Sequence, residues 1–438
     1  MLQKISTFLT RGKRKSSAPQ TAARIIPRDE HNISRQQMSR AALDVLYGLH
    51  KAGYQAFAVG GCLRDLLTGI TPKDFDVATD ASPEQVQALF RRSRIIGRRF
   101  RIVHVRVGNE TIEVSTFRAL TSENTSESRQ HARSQSGLIL RDNVFGSIEE
   151  DALRRDFTVN ALYYNIADFS LYDFAGSLAD IQARRLRLIG DPETRYREDP
   201  VRMLRAARFA AKLDFALDPA CEKPIHQLAE LLLQVPSARL FDEQLKLFLA
   251  GHAEATFAQL ERLGIFSILF ADTAKELQGT LGDKWRHLIL AAMRNTDVRI
   301  AEDKRVTPAF LLAVLLWPAV HAQAQKQDLP QAITRVLSRQ VKVIAIPKRF
   351  TQVMREMWEL QLRLEKRQRP TELLQHPKFR AAYDFLLLRE EAVLLPDHKI
   401  GQWWTQFQQA NPQQQGELLK DRPAQPRRRR RRRKPAAP

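Results

Sequence analysis

Apolar residues change their spacing near position 195, and the change divides the chain. Before it, short apolar runs alternate with polar positions and are broken by Gly, Pro and polar turns. Residues 39–52 read as a helix, 55–59 as a strand and 73–79 as a second strand. Ser82-Pro83-Glu84-Gln85 opens a further helix, with Ser as N-cap, Pro at the first helical position and Gln completing a capping box. Segments 101–107 and 111–117 alternate around Gly108-Asn109, the pattern of a hairpin. Ser147-Ile148-Glu149-Glu150 is a second capping box, for a helix ending near Arg155. From about 195 to about 405 apolar residues recur at three- and four-residue spacing, so that part is helical. The expected architecture is multidomain: a small α/β region with a mixed sheet, followed by all-α regions.

Composition fits this division. A chain of 438 residues with 43% hydrophobic content supports two to four packed domains. Residues 1–35 are polar and basic and read as disordered, 121–136 have no apolar period and read as a loop, and roughly the last thirty, rich in Gln, Pro and Arg, read as disordered. The net charge of +21 and pI near 10.3 call for a polyanionic partner, nucleic acid before membrane. Arg427, Arg428, Arg429, Arg430, Arg431, Arg432, Arg433 and Lys434 carry +8 of this charge, which still leaves +13 elsewhere. Only Cys62 and Cys221 are present, which excludes a disulfide framework and a cysteine-rich zinc site. No apolar leader precedes the first helix, and the longest apolar run, 309–320, is too short to span a bilayer and contains Pro318. An intracellular, cytoplasmic protein is expected.

Chemistry concentrates at Val59-Gly60-Gly61-Cys62-Leu63-Arg64-Asp65 and Lys73-Asp74-Phe75-Asp76-Val77. A Gly-Gly turn after a strand lets backbone approach a phosphate closely. Asp74 and Asp76, two apart on an extended segment, face the same way and suit hard cations such as magnesium. Glycines after strands are usually only turns, and Asp-x-Asp pairs are often solvated surface. Their combination on consecutive strands favours nucleotide chemistry. Arg64 fits a phosphate contact, with Asp65 as its buried partner. Arg154 and Arg155 offer guanidinium forks for a triphosphate. Asp156 and Asn160, four apart, would share a helical face and meet a ribose hydroxyl or a metal. Further on, Asp199 reads as an N-cap and Pro200 as a first helical residue. Arg202, Arg205 and Arg208 follow at three-residue spacing as a polar stripe, which on a bland reading is a solvated helix face.

Gly60-Gly61-x-x-Arg64-Asp65 with Asp74-Phe75-Asp76 resembles the nucleotidyltransferase superfamily, in the class holding tRNA CCA-adding enzymes and bacterial poly(A) polymerases. Arg154-Arg155-Asp156-Phe157-Thr158-Val159-Asn160-Ala161 resembles that class's second block. Asp173-Phe174-Ala175-Gly176 with Asp180-Ile181 and Arg187 resembles its third, and the run from Glu198 to Phe209 its fourth. The resemblance implies a nucleotidyltransferase head over 36–165, a base-recognising neck over 166–250 and a helical RNA-binding body over 251–405, with an arginine-rich tail over 406–438. It implies Mg²⁺ at Asp74 and Asp76, with triphosphate binding by Gly60, Gly61, Arg64, Arg154, Arg155 and Asn160. Base reading falls to Asp199 and Arg202, with Arg205 beside them. A third catalytic carboxylate is either Glu113, on the second hairpin strand, or Asp156.

Residues 95–105, Ile-Ile-Gly-Arg-Arg-Phe-Arg-Ile-Val-His-Val, resemble the segment that marks bacterial poly(A) polymerases rather than CCA-adding enzymes. The basic termini favour the same answer, because varied RNA 3′ ends need sequence-independent phosphate contacts. The expected activity is template-independent addition of AMP from ATP to RNA 3′ ends, with release of pyrophosphate. The expected enzyme is a monomer, and RNA-decay proteins are the expected class of protein partner. The alternatives are CCA addition and, from another class, a non-catalytic RNA-binding protein, which would have lost its carboxylates. Trp403 and Trp404 could stack on bases, though a packed helix end suits them better. His104 reads as structural.

Overall fold

An eight-stranded mixed sheet organises the N-terminal part of the chain. The computed structural model describes residues 23–97, 101–120, 131–133, 139–142 and 144–420, with backbone alone for 131–133, 139–142 and 420. The chain forms two compact units, Met1–Asp199 with Ala216–Cys221 and Pro200–Phe215 with Glu222–Pro438. The expected end of the head at 165 falls inside the first of these.

The first unit begins with strand β1 (Arg24–Ile26), helix α1 (Arg40–Lys51) and strand β2 (Ala56–Val59). Helix α2 (Gly61–Leu67), strand β3 (Asp76–Thr79) and helix α3 (Pro83–Leu89) follow. Strands β4 (Ser93–Ile96), β5 (Ile102–Val107) and β6 (Glu110–Thr116) come next. A short ribbon, β7 (His131–Arg133) with β8 (Ile139–Asp142), precedes α4 (Ile148–Leu153). Then come β9 (Leu162–Asn165), β10 (Leu171–Asp173), α5 (Ser177–Gln182), β11 (Arg185–Leu186) and α6 (Pro192–Glu198). The sheet runs β1-β10-β9-β2-β3-β6-β5-β4, and β3 with β6 is its parallel pair.

Local signals explain much of this. The Ser39 hydroxyl accepts from Ala42 N at 3.1 Å to start α1. Both capping boxes form, at Ser82 with Gln85 and at Ser147 with Glu150. The hairpin turns at Gly108, whose φ of +60° suits glycine. On one face of the sheet Val77, Val103, Val105, Ile112 and Val114 are buried, with α1 and α3 packed on these strands.

The structure corrects several expectations. Segment 1–35 is not wholly disordered: β1 pairs with β10, because Ile26 and Ile33 find burial there, at 1% and 0% exposure. Residues 1–22 lie outside the described residues. The loop expected over 121–136 contains β7, while 121–130 and 134–136 lie outside the description. The disorder expected over 406–438 does not hold at its start, since Pro412–Lys420 is helical with Leu418 and Leu419 packed on a buried cluster, and 421–438 lie outside the described residues.

The second unit is helical. It opens with α7 (Val201–Leu213), which packs against the helices Ala253–Arg262 and Ser237–Phe248. At its centre lies Pro308–Ala324, buried from Leu311 to Val320. Thr273 Oγ1 donates to its Leu315 carbonyl at 2.8 Å, and Trp358 Nε1 donates to its Ala313 carbonyl at 3.1 Å. Among the described residues no helix is long and apolar enough to cross a membrane. Trp403 and Trp404 are buried with Phe379, Leu364 and Phe407, and Trp404 Nε1 donates to the Leu364 carbonyl at 3.0 Å. They are packed helix residues.

Candidate active site

The candidate residues of the first unit converge at one end of β2 and β3. Strand β2 ends at Val59, and Gly60 follows with φ +79° and ψ −132°, a conformation few side chains tolerate. A Cβ on Gly60 would lie 3.4 Å from Arg155 Nη1, and one on Gly61 3.3 Å from Arg64 Nη2. The turn is therefore drawn tightly over two guanidinium groups.

Register sets the carboxylates. Asp76 pairs with Val59 on one side and with Glu113 on the other. Directly paired residues project from the same face of a sheet, so Asp76 and Glu113 are neighbours. Asp74 precedes β3 rather than lying in it, yet Asp74 and Asp76 are both exposed around buried Phe75, as the two-residue spacing requires. Although Asp76 keeps an open face, the surrounding protein strips water from its carboxyl. That, with the charge of Glu113, outweighs Arg155; Asp74 adds to the rise, and the group is pushed up to about 6. His104 Nε2 lies 3.3 Å from Glu113 Oε1.

Beneath the turn lies a buried polar network. Arg64, 3% exposed, donates from Nε to Asp65 Oδ1 at 2.8 Å and from Nη1 to Asn160 Oδ1 at 2.6 Å. Asn160 Nδ2 donates in turn to Asp156 Oδ1 at 3.3 Å. No α-helix joins those two residues: Asp156 precedes an extended Phe157 and a 3₁₀ turn, Thr158–Asn160, and the tight turn brings them together. Asp156 Oδ1 also accepts from Phe157 N at 2.8 Å. Arg155 directs Nε to the Tyr163 hydroxyl at 2.8 Å, Nη2 to Asp151 Oδ2 at 3.1 Å and Nη1 to the Asn160 carbonyl at 3.3 Å. Burial alone would raise the Asp151 carboxyl, but the charge of Arg155, the Tyr163 hydroxyl and Arg154 hold it below its ordinary value. Arg155 thus spends its donors inside the protein. Arg154 is partly buried as well, with Nη1 3.8 Å from Asp151 Oδ1.

Three residues that sequence reasoning missed complete this support. Asp151 lies three and four residues before the arginine pair, a helical spacing that could have signalled it. Tyr163 arrives through strand pairing and gave no local signal. Arg195, on α6, donates from Nη2 to the Arg154 carbonyl at 2.6 Å and the Arg155 carbonyl at 2.7 Å, pinning that peptide. Asp180 of the third block is fully buried and accepts from Thr158 Oγ1 at 2.7 Å, Arg185 Nε at 2.8 Å and Arg187 Nε at 2.9 Å.

The fourth block divides. Asp199 closes α6 as its C-cap rather than capping the next helix, and α7 begins at Val201 after Pro200. In the second unit Arg202 is 9% exposed, which rules out a solvated stripe there, while Arg205 and Arg208 lie 5.2 and 4.6 Å over the Phe209 ring. The eight basic residues 427–434 lie outside the described residues, as do 98–100 within the segment 95–105.

Residues 56–187 match the model of the poly A polymerase head domain. Residues 214–277 match that of the probable RNA and SrmB-binding site of polymerase A, and 321–436 that of the polymerase A arginine-rich C-terminus. Poly(A) polymerase I of Salmonella typhi is 47% identical, with 100% of this chain and 99% of that protein covered. The chain belongs to the poly(A) polymerase I family. The Haemophilus influenzae member is 42% identical, with 94% of each chain covered. A CCA-adding enzyme of Bacillus licheniformis is related at a greater distance, 34% identical over 67% of this chain and 69% of its own. Among solved structures, the Bacillus stearothermophilus CCA-adding enzyme in complex with CTP superposes with a TM-score of 0.59 at 25% identity, covering 89% of this chain and 90% of that one. The head and helical remainder therefore have nucleotidyltransferase architecture, and the chain is a nucleotidyltransferase.

Proposed function

We propose that this nucleotidyltransferase adds AMP from ATP to RNA 3′ ends without a template and releases pyrophosphate. The RNA 3′ oxygen forms a bond to the α-phosphorus, and the bond from that phosphorus to the β-phosphate bridging oxygen breaks. The observation that carries the reading is the register row that sets Asp76 between the Gly60 turn and Glu113, with Asp74 beside it. Full-length similarity to poly(A) polymerases supports AMP as the transferred group. No observation favours CCA addition over it.

The carboxylate set fits a divalent cation. Its oxygens are hard, and Asp76 is raised first by burial and then by the charges of Glu113 and Asp74, which a cation would offset. Among the described residues no group of three His, Cys, Asp or Glu side chains forms a ready cage. That also suits magnesium, which commonly uses one or two carboxylates together with substrate phosphates. Asp74 and Asp76 would hold the ion, and Glu113 is the better third carboxylate, since it faces Asp76 whereas Asp156 is committed to Phe157 N and Asn160. When bound, the ion would offset the charge that develops on the phosphates.

The protein's own groups do the positioning. Gly60 and Gly61 would let the backbone approach the triphosphate, and Arg154 is assigned to it on the strength of the second block. Arg64 and Arg155 act from beneath, setting the turn and placing positive charge under it. Asp199, Arg202 and Arg205 are assigned to base selection on the strength of the fourth block. Residues 427–434 add salt-dependent RNA affinity.

Asp74→Ala or Asp76→Ala tests the assignment. Either variant should lose AMP incorporation while still binding RNA in a mobility assay. Full turnover in either would remove the carboxylates from the mechanism.

A further inference from the structure

Strand β4 is the free edge of the eight-stranded sheet, and a groove of about 780 Å³ runs beside it. Arg91, Arg92, Arg94, Arg106 and His104 line this groove, and no carboxylate does. The four arginines are exposed, and none is ion-paired with a described carboxylate. Elsewhere in the molecule arginines are repeatedly matched, as in Arg195 with Glu198, Arg286 with Glu261 and Arg389 with Glu365. An unmatched, concave, single-signed surface costs self-repulsion that bound anion relieves.

The groove leads to the carboxylates. Arg94 pairs with His104, His104 with Glu113 and Glu113 with Asp76, so one row of paired residues crosses from the edge strand to the site. Neighbouring strands lie about 4.8 Å apart, which puts β4 about 14 Å from β3, a few nucleotides of extended chain. Arg94 lies on β4 and Arg106 on the adjacent β5, while Arg92 sits just before β4 with its carbonyl accepting from Arg106 N at 2.8 Å, so the cations form an array rather than one pocket. Exposed Ile96 adds an apolar surface against which a base can rest.

The geometry points to a docking groove for single-stranded RNA, holding phosphates a few nucleotides upstream of the 3′ end that reacts at Asp76. Its arginines read charge and not sequence, which suits a substrate whose end is not fixed. Ile96 and His104 of the segment 95–105 line the groove, and its arginines flank that segment in the chain. This inference rests on the proposed function for the direction of the RNA, but not for its binding.

The test uses the full chain with Arg91, Arg94 and Arg106 all replaced by Gln, and a second variant with all three replaced by Lys. Equilibrium binding of a short fluorescent single-stranded RNA is measured across salt concentrations without ATP, so the readout needs no catalysis. The Gln variant should bind roughly ten-fold more weakly, with a log–log salt slope shallower by about 2. The Lys variant should bind within a few-fold of the parent, and matching thermal melts of all three proteins establish that the fold is kept. In turnover, the Gln variant should raise the KM for RNA and leave kcat and the KM for ATP unchanged. Unchanged RNA affinity would overturn the groove, and so would a raised KM for ATP with RNA binding intact. A parent protein that binds RNA in this manner but transfers no AMP would contradict the proposed function and leave the groove standing.

Discussion

Asp76 is the residue whose surroundings say most about the chemistry. A carboxyl pushed up to about 6 by its surroundings and by Glu113 is held in a state that a cation would improve. The sign follows from the shift: folded Asp76 holds its proton above the ordinary 3.8, so without metal it lowers stability as pH rises from there to about 6. Glu113→Gln removes one negative neighbour, and the Asp76 midpoint in the metal-free protein should move down, as followed by carboxyl NMR. An unmoved midpoint would mean that the register pairing of these residues carries no electrostatic contact. The Gly60 turn, the Asp pair and Glu113 were all legible as candidates in the sequence. What could not be read was that Glu113, and not Asp156, lies beside Asp76, because that depends on which strand pairs with β3.

Elements with local signals were the readable ones. Both capping boxes, the Gly108 hairpin and the helix after Ser39 form where their residues direct. The misread places lack such signals or depend on distant partners: β1 exists only because β10 offers an edge, and Asp156 meets Asn160 through a 3₁₀ turn rather than a helix. Arg155 illustrates the same point. Its sequence context suggests a phosphate ligand, yet its donors go to Asp151, Tyr163 and the Asn160 carbonyl, tying α4 to β9 beneath the Gly60 turn. Arg155→Ala would strand the Asp151 carboxylate, 6% exposed, without its main counter-charge. The expected loss of stability is about 3–5 kcal/mol in a denaturant titration. A loss below about 1 kcal/mol, the range of exposed pairs, would return Arg155 to the role of a substrate-facing group.

At the scale of the whole molecule, an α/β unit carrying the carboxylates and a helical unit carrying α7 are joined in a single chain with a strongly basic balance. The division into a sheet region and a helical region was visible in the apolar spacing, since period 2 and period 3.6 leave different marks. The units nonetheless part between Asp199 and Pro200, within a block that reads as continuous in sequence, because a helix end and a helix start there belong to different cores. Such a chain is suited to extending RNA 3′ ends with AMP, the activity proposed above. It is tested most directly by supplying Mg²⁺ and an RNA with a free 3′ end, with ATP or CTP in turn, and resolving the products by length. Long tails from ATP alone, on RNAs of unrelated sequence, are the predicted result. Addition confined to tRNA ends and using CTP as well, or no extension with either nucleotide, would contradict it.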